Sequence, residues 1–224
     1  MPITTLLSPD NAPLLTMKLI RVQLDAEYPV EQIEIQDELC LLPMIGSVHV
    51  HIDATDYGII GGRRHVCEHD TQALRATDGL LTLTLKSYSA DILLATCERQ
   101  ENIAPFVHRN DAMIHSVGSG THQRAVTELA TPPGYRIWAG ETENIPGGVS
   151  SWPPHAHAHD IERFRRGETT WEEMMFFVCQ QPGIAVMDGW YSRTVGMEPM
   201  PQHVTTVEQV HNGSAHVMPL GSHA

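Results

Sequence analysis

The feature that most constrains the fold of this chain is a succession of short segments in which apolar and polar residues alternate. An alternation with a period of two is typical of β-strands that bury one face. Such segments cover residues 18–25, 32–36, 47–52 and 80–85, and turn residues separate the strand candidates at intervals of roughly 8–12 positions. Helical periodicity is weak in the first half of the chain. The pattern predicts an all-β protein built as a sandwich or a barrel.

Other stretches of the first half lack this alternation. Two continuous apolar runs, residues 39–45 and 90–97, predict further strands, of which the first is a candidate for a buried strand. Residues 1–16 contain three prolines and predict an irregular lead-in. The glycines within residues 58–62 predict a bend.

The second half of the chain predicts a second set of strands. The candidates are residues 123–129, 135–141, 174–179, 184–191 and 204–210. A polar passage over residues 98–120 separates the halves and ends in Val-Gly-Ser-Gly, as a domain connector would. We therefore expect two consecutive β-domains, near residues 1–110 and 111–224.

The charge balance argues against nucleic acid as a partner. The chain has 14 Lys+Arg against 27 Asp+Glu, a net charge of −13, and shows no basic patch, which a nucleic-acid binder would normally carry. The four cysteines lack paired spacing and predict reduced thiols. We find no signal-peptide pattern and no run near the ~18–20 apolar residues of a membrane span. The expectation is a cytoplasmic protein without a membrane partner.

The strongest candidate for chemistry is the segment Pro-Pro-His-Ala-His-Ala-His-Asp, which contains His155 and His157. In an extended chain these two side chains share a face, so they could hold one ion together. His223 follows a Pro-x-Gly turn near the last residue and could supply another imidazole. Imidazole with carboxylate suits Zn, Fe, Mn or Ni. A solvent-exposed polar loop is the alternative interpretation of the segment.

Two carboxylates compete to complete this ligand set. Glu162 lies close to His157 but is followed by the charged run 163–166, which does not predict a strand. Glu173 directly precedes an apolar run, with Glu172 expected to face the other way. A ligand at the start of a core strand is held better than one in a charged loop, so we prefer Glu173.

The order of these motifs resembles that of the cupin superfamily, whose small β-barrels hold a metal with His, His, Glu and His. The Gly-x5-Pro-x-Gly-x-His motif covers residues 213–223. More narrowly, Val-Gly-Ser-Gly at 117–120 with Arg124, and Pro-Gly-Gly-Val-Ser-Ser-Trp-Pro-Pro-His at 146–155, resemble the family of 5-deoxy-glucuronate isomerase and 5-keto-4-deoxyuronate isomerase. Gly-Gly-Arg-Arg at 61–64 is similar to a first-domain element of this bicupin family.

The resemblance implies two tandem cupin domains, each a jelly-roll β-barrel, with the metal in the second. His155, His157, Glu173 and His223 would then hold one divalent ion per chain, with zinc preferred and iron, manganese or nickel also compatible. The family's Glu-Glu pair before an apolar-aromatic strand supports Glu173 over Glu162.

The chain departs from the family pattern in three respects. His49 and His51 form a His-x-His in the first domain, but no matching Glu and late His follow, so we interpret them as ordinary strand residues. The second domain is expected to lack its last strand, because the chain ends at Ala224. Met187 and Asp188 stand where the family has a Gln-Arg pair, which leaves the substrate open.

The activity that the resemblance implies is isomerisation of 5-deoxy-D-glucuronate to 5-dehydro-2-deoxy-D-gluconate in myo-inositol catabolism. The substrate carboxylate needs a cation, and Arg193 is the first candidate, with the arginines of the run 163–166 as competitors. Tyr191 and His203 are candidates for the general base, and the sequence does not choose between them.

Two other functions remain open at this point. A cupin dioxygenase would hold Fe(II) with the same ligands and keep positions open for O₂. A non-catalytic cupin would bind a sugar or uronate without turnover. By analogy with cupins, the chain is expected to form a homo-oligomer.

Overall fold

The structure of this chain, a computed structural model, contains seventeen strands and one short 3₁₀ helix in its described residues. The described residues are 2–14, 16–68, 70–99, 104–109, 112–129, 131–149, 172–191, 202–218 and 220–223. The prediction of an all-β protein is confirmed. Over these residues no helix has the length and apolar character to cross a bilayer.

The first nine strands form one sheet. They are β1 (Ile3–Leu7), β2 (Lys18–Leu24), β3 (Val30–Ile35), β4 (Glu38–Ile52), β5 (Thr55–Arg63), β6 (Ala73–Ala76), β7 (Gly79–Leu85), β8 (Ala90–Cys97) and β9 (Phe106–His108). The main path of the sheet is β1-β2-β8-β4-β6-β9. In addition β5 and β7 pair with β4, and β3 pairs with β7.

Strand β4 connects the two halves of this sheet. Its first half pairs with β8 and β6, and its second half pairs with β5 and β7. The register shifts between Pro43 and Ile45 and again between Gly46 and Ser47. Gly46 has a φ of 79°, and a Cβ there would collide with the carbonyl oxygen of Ser89. The irregularities therefore bend the chain without ending its pairing.

The bend explains why two predicted strands are one. The sequence predicts separate strands at 39–45 and 47–52, and this separation is wrong because pairing continues through the bend. The predicted bend at 58–62 is also wrong, because these residues lie inside β5. A Cβ at Gly61 would collide with the carbonyl oxygen of Gly46, so the glycines serve the close approach of β5 to β4.

The core draws on both halves of the sheet, so the sheet folds over on itself around it. The buried cluster consists of Val22, Leu24, Ile35, Leu39, Leu41, Val48, Val50, Ile52, Ile60, Leu74, Ala76, Leu81, Leu83, Ala90, Ile92 and Leu94. Removing such side chains from water contributes roughly 1.5–3 kcal/mol for each Val, Leu or Ile. This shared core agrees with the predicted jelly roll.

Two segments that were predicted to be irregular contribute strands. Residues 3–7 form β1, which corrects the expected lead-in over residues 1–16. The expected connector over 98–120 contains β9, which pairs with β6 of the first sheet. Regular pairing in these places depends on a neighbouring strand that local sequence does not reveal.

The remaining strands form three smaller sheets. They are β10 (Met113–Val117), β11 (Arg124–Leu129), β12 (Ala139–Asn144), β13 (Glu173–Phe176), β14 (Gly183–Tyr191), β15 (Gln202–Val210), β16 (Ala215–Met218) and β17 (Leu220–His223). The sheet orders are β10-β11-β12, β13-β16 and β15-β14-β17. The strands predicted at 184–191 and 204–210 are confirmed as β14 and β15.

The chain divides into two compact units. The first comprises Met1–Leu6, Lys18–Ser116 and Ala125–Glu143, and the second comprises the rest of the chain. The expected tandem domains at 1–110 and 111–224 stay a prediction.

Buried polar side chains hold residues 125–143 within the first unit. The Glu38 carboxylate, which is 1% exposed, accepts hydrogen bonds from the backbone N–H groups of Arg136 and Ile137. The Arg63 guanidinium donates to both carboxylate oxygens of Glu141 at 2.7 and 2.8 Å. Each buried charge therefore has hydrogen-bond partners, and these groups have a structural role.

Candidate metal centres

The structure describes some of the residues of the C-terminal metal centre that the sequence predicts. His155, His157 and Arg193 lie outside the described residues, as does the alternative carboxylate Glu162. The two predicted ligands that fall within the described residues are Glu173 and His223.

These two residues occupy the ends of strands in different sheets. Glu173 is the first residue of β13 and pairs in register with Met218 of β16. His223 is the last residue of β17 and pairs with Met187 of β14. Only residue 219 separates β16 from β17, so the strand beside Glu173 and the strand that carries His223 follow each other directly.

The carboxylate next to Glu173 is engaged elsewhere. Glu172 Oε2 accepts hydrogen bonds from the backbone N–H groups of Thr16 and Met17, both at 3.0 Å. The Thr16 hydroxyl donates to the same oxygen at 3.3 Å. Glu172 therefore fixes residues 16–17 beside the start of β13, which is a structural role.

Of the two candidate bases, His203 is the one whose side chain the structure describes. Its Nε2 lies 3.5 Å from Asp188 Oδ1, and both side chains are about half exposed, at 49% and 58%. The Thr205 hydroxyl donates to the same oxygen at 2.5 Å. Met187, which shares with Asp188 the place of the family's Gln-Arg pair, is buried. Asp188 thus lies beside a histidine instead of offering the guanidinium expected there.

A second group of possible metal ligands lies on the β4–β5 hairpin. Along β4, Val48, Val50 and Ile52 point into the core, whereas His49 and His51 alternate with them on the outer face. The strand location predicted for the two histidines is confirmed. Because side chains at i and i+2 share a face, the two imidazole rings are neighbours, with centroids 4.5 Å apart.

The turn of the hairpin brings a carboxylate to these rings. Strand β4 ends at Ile52, β5 begins at Thr55, and Asp56 stands directly opposite His51 in the ladder. His49 Nε2 lies 2.7 Å from Asp56 Oδ1, and His51 Nε2 lies 3.8 Å from Asp56 Oδ2. Each carboxylate oxygen therefore faces a different ring, and the three side chains could hold one ion.

The backbone keeps the Asp56 carboxylate ionised. Asp56 Oδ1 accepts a hydrogen bond from the Gly58 N–H at 2.7 Å as well as the contact with His49. The pKa of Asp56 lies below its usual value of 3.8, first because of this backbone hydrogen bond and then because of His49. An aspartate with the usual pKa is already anionic at neutral pH, as a metal ligand must be, and these contacts extend the ionised range to lower pH.

Comparison with known proteins gives the family of the chain. The model of the KduI/IolB family matches residues 2–224. The chain belongs to the KduI/IolB family. Its members are isomerases, and they act on small sugar acids. The family includes uronate isomerases of inositol and pectin catabolism.

Two solved structures share the fold. An IolB-like protein from Salmonella typhimurium has a TM-score of 0.73 at 19% identity, over 98% of this chain and 81% of that one. A putative glyoxylate-induced protein from Pseudomonas aeruginosa has a TM-score of 0.52 at 8% identity, over 99% of this chain and 73% of that one. No curated protein matches. The KduI/IolB family is the family of uronate isomerases that the sequence motifs resemble, so the predicted resemblance is confirmed. The fold of the IolB-like protein agrees with the predicted cupin jelly roll.

Within this KduI/IolB chain, the sequence interpretation missed Asp56. The cupin pattern requires a Glu and a later His after the His-x-His, and Asp56 fits neither position. A usable signal was present, because the turn residues 53–56 follow the His-x-His directly. A tight turn sends the next strand back beside the first, so a carboxylate just after the turn lies opposite the residue just before it.

Proposed function

We propose that this KduI/IolB chain is a metal-dependent aldose–ketose isomerase that converts 5-deoxy-D-glucuronate to 5-dehydro-2-deoxy-D-gluconate. The observation that carries the proposal is the family match over residues 2–224. The choice of this uronate is supported by the run Pro-Gly-Gly-Val-Ser-Ser-Trp-Pro-Pro-His at 146–155. We also propose, by family analogy, that the chain forms a homo-oligomer in the cytoplasm.

His155, His157, Glu173 and His223 are the proposed ligands of the ion. Three imidazoles with one carboxylate suit zinc, and also iron, manganese or nickel. The engagement of Glu172 by Thr16 and Met17 supports Glu173 as the carboxylate of the pair. When bound, the ion would supply Lewis-acid stabilisation of the oxyanion that develops on the substrate.

The other proposed roles belong to side chains that bind the substrate and move its proton. Hydrogen leaves the carbon that bears the hydroxyl and arrives at the neighbouring aldehyde carbon, so the reaction needs no co-reactant. Arg193 is proposed to bind the substrate carboxylate, since a chain with a net charge of −13 needs a local cation for an anionic substrate. Tyr191 and His203 are the proposed alternatives for the base. The Asp188 carboxylate lies 3.5 Å from His203 Nε2 and could orient this imidazole.

The decisive experiment incubates the zinc-loaded protein with 5-deoxy-D-glucuronate and follows the products by NMR. Formation of the keto acid is expected, with deuterium from D₂O incorporated at the former aldehyde carbon where the base exchanges its proton with solvent. A protein with a full complement of metal that yields no product would contradict the proposal.

One observation favours a second candidate, a uronate-binding protein without turnover. Asp188 stands in place of an expected arginine and lies beside His203 and Thr205. Saturable binding of the uronate without product would support this candidate. Uptake of oxygen by the Fe(II)-loaded protein would instead identify the dioxygenase.

A further inference from the structure

The outer face of the β4–β5 hairpin is a polar surface on a rigid support. Beneath His49 and His51, the side chains of Val48, Val50 and Leu83 are completely buried. Strands β5 and β7 flank this half of β4 on its two edges. The two imidazoles are therefore attached to a strand that is paired on both sides and packed on a core, which limits the entropy lost when they bind a ligand.

The distances between the ligand atoms suit a small divalent ion. In a tetrahedral site with metal–ligand distances near 2.0–2.1 Å, ligand atoms are about 3.3 Å apart. The two His–Asp distances, 2.7 Å to His49 and 3.8 Å to His51, lie on either side of that value. The ligand atoms of all three residues lie within 4.8 Å of one another. Rotations of partly exposed side chains would close the site without any change in the backbone.

We propose that His49, His51 and Asp56 form a binding site for a divalent transition-metal ion. The site is separate from the C-terminal centre in its residues and does not depend on the proposed isomerase activity. Two nitrogens and one oxygen favour zinc, nickel or copper, whereas magnesium and calcium prefer sites made of oxygen alone. Three protein ligands leave at least one position for water or for an oxygen of an anionic ligand.

Binding of the ion requires a proton to move. An ionised carboxylate only accepts hydrogen bonds, so at 2.7 Å from Asp56 the His49 Nε2 carries a proton. A metal ligand must present a lone pair instead. The proton therefore has to shift to Nδ1 before Nε2 can bind the ion.

The alternative is that the His49–Asp56 contact only fastens the end of the hairpin. That role needs one imidazole, and Gly58 already donates to the same Asp56 oxygen. It does not explain the second imidazole, which faces the other carboxylate oxygen. The experiment therefore compares the loss of both histidines with the loss of two histidines elsewhere.

The test measures zinc binding in a protein that carries His155→Ala and His157→Ala, so that the C-terminal centre is removed. After treatment with a chelator, the full-length protein is dialysed against Zn²⁺, and bound metal is determined by elemental analysis. We expect about one equivalent of zinc, lost when His49→Ala and His51→Ala are added. The matched control adds His65→Ala and His115→Ala, which removes two exposed histidines of the same unit, and it should keep the ion.

The outcomes separate the site from adventitious binding. Equal zinc content in the hairpin variant and the control variant would overturn the proposal, as would the absence of bound zinc in the starting protein. Circular dichroism reports whether the hairpin variant is folded. The conservative Asp56→Asn change gives an independent measurement, since it should weaken zinc binding roughly tenfold or more, and an unchanged affinity would also overturn the assignment. Magnesium at the same concentration should not bind.

Discussion

The chain contains two His-x-His segments whose proposed third ligands come from different distances along the sequence. For His49 and His51, the carboxylate of Asp56 arrives across a tight turn, on the neighbouring strand of the same hairpin. For His155 and His157, the proposed partners are Glu173, beyond a long insertion, and His223, at the end of the chain. The comparison teaches that His-x-His spacing brings two imidazoles to one face, whereas topology decides which carboxylate joins them.

The two regions should therefore respond differently to change. The hairpin cluster is local, so it requires little more than the hairpin and the core beneath it. The proposed C-terminal set comes from three separate parts of the sequence, so we expect its formation to depend on contacts between residues far apart in the chain. The predictions below are ordered from the largest expected effect to the smallest.

The largest effect is expected when the second His-x-His is removed. His155→Ala with His157→Ala should lower kcat/KM for 5-deoxy-D-glucuronate by roughly a thousandfold, because Lewis-acid stabilisation of an oxyanion contributes several kcal/mol. The NMR assay of product formation measures it, with His65→Ala as a control that should retain full activity. Activity within tenfold of the unmodified protein would remove these two residues from the proposed centre.

For the β4–β5 hairpin, the largest expected effect is a loss of stability when a core side chain below His49 and His51 is shortened. Leu83 is fully buried and stands opposite Val50, the residue between His49 and His51. Leu83→Ala should lower the free energy of unfolding by about 2–5 kcal/mol through lost contacts and a cavity. Denaturant titration measures the change. Thr82→Ala, on the outer face of the same strand, is the control and should cost less than about 1 kcal/mol, so equal effects would contradict the assignment of inner and outer faces.

The next prediction concerns the carboxylate of the second region. Glu173→Gln should reduce metal content and lower kcat/KM by roughly 100-fold, since it removes the anionic oxygen from the ligand set. Glu162→Gln should change either quantity less than tenfold. Parallel metal analysis and kinetics of the two variants decide between them. The reverse order would move the proposed ligand from Glu173 to Glu162.

Much of the fold could be predicted from the sequence, because alternation is visible wherever one face of a strand is buried. The alternating segments at 18–25, 32–36 and 80–85 are strands in the structure. Pairing between strands is not visible in this way. The fusion of two predicted strands into β4 depends on partners far along the chain, and so does the inclusion of the glycines at 58–62 in β5.

The same distinction applies to the candidate sites: local features could be predicted from the sequence, whereas contacts that depend on strand pairing were missed. Residue type and spacing placed His49 and His51 in a strand and Glu173 directly before one, and in the structure Glu173 is the first residue of β13. The family resemblance rested on motifs at 117–124 and 146–155 and was confirmed by the match over the chain. The contact of Asp56 with both histidines was missed, because it follows from register across a turn and not from ligand spacing along one strand. The turn residues at 53–56 were the signal that could have located it.

The smallest predicted effect is a change in the pKa of Asp56. It tests whether the turn or the histidines lower this pKa more. The pKa of Asp56 is depressed below 3.8 by the Gly58 N–H first and by His49 second, with His51 contributing least. With a chelator present, ¹³C NMR of the carboxyl carbon should therefore show His49→Ala raising this pKa only part of the way to 3.8, and His51→Ala raising it less.

A depressed pKa in the folded state means that the unfolded state binds more protons in this range. The contribution of Asp56 to stability is thus present above the unfolded pKa and is lost as the pH falls through the folded one. If the pKa of Asp56 returned to 3.8 in the His49→Ala variant, the imidazole and not the turn would be the cause of the lowered pKa.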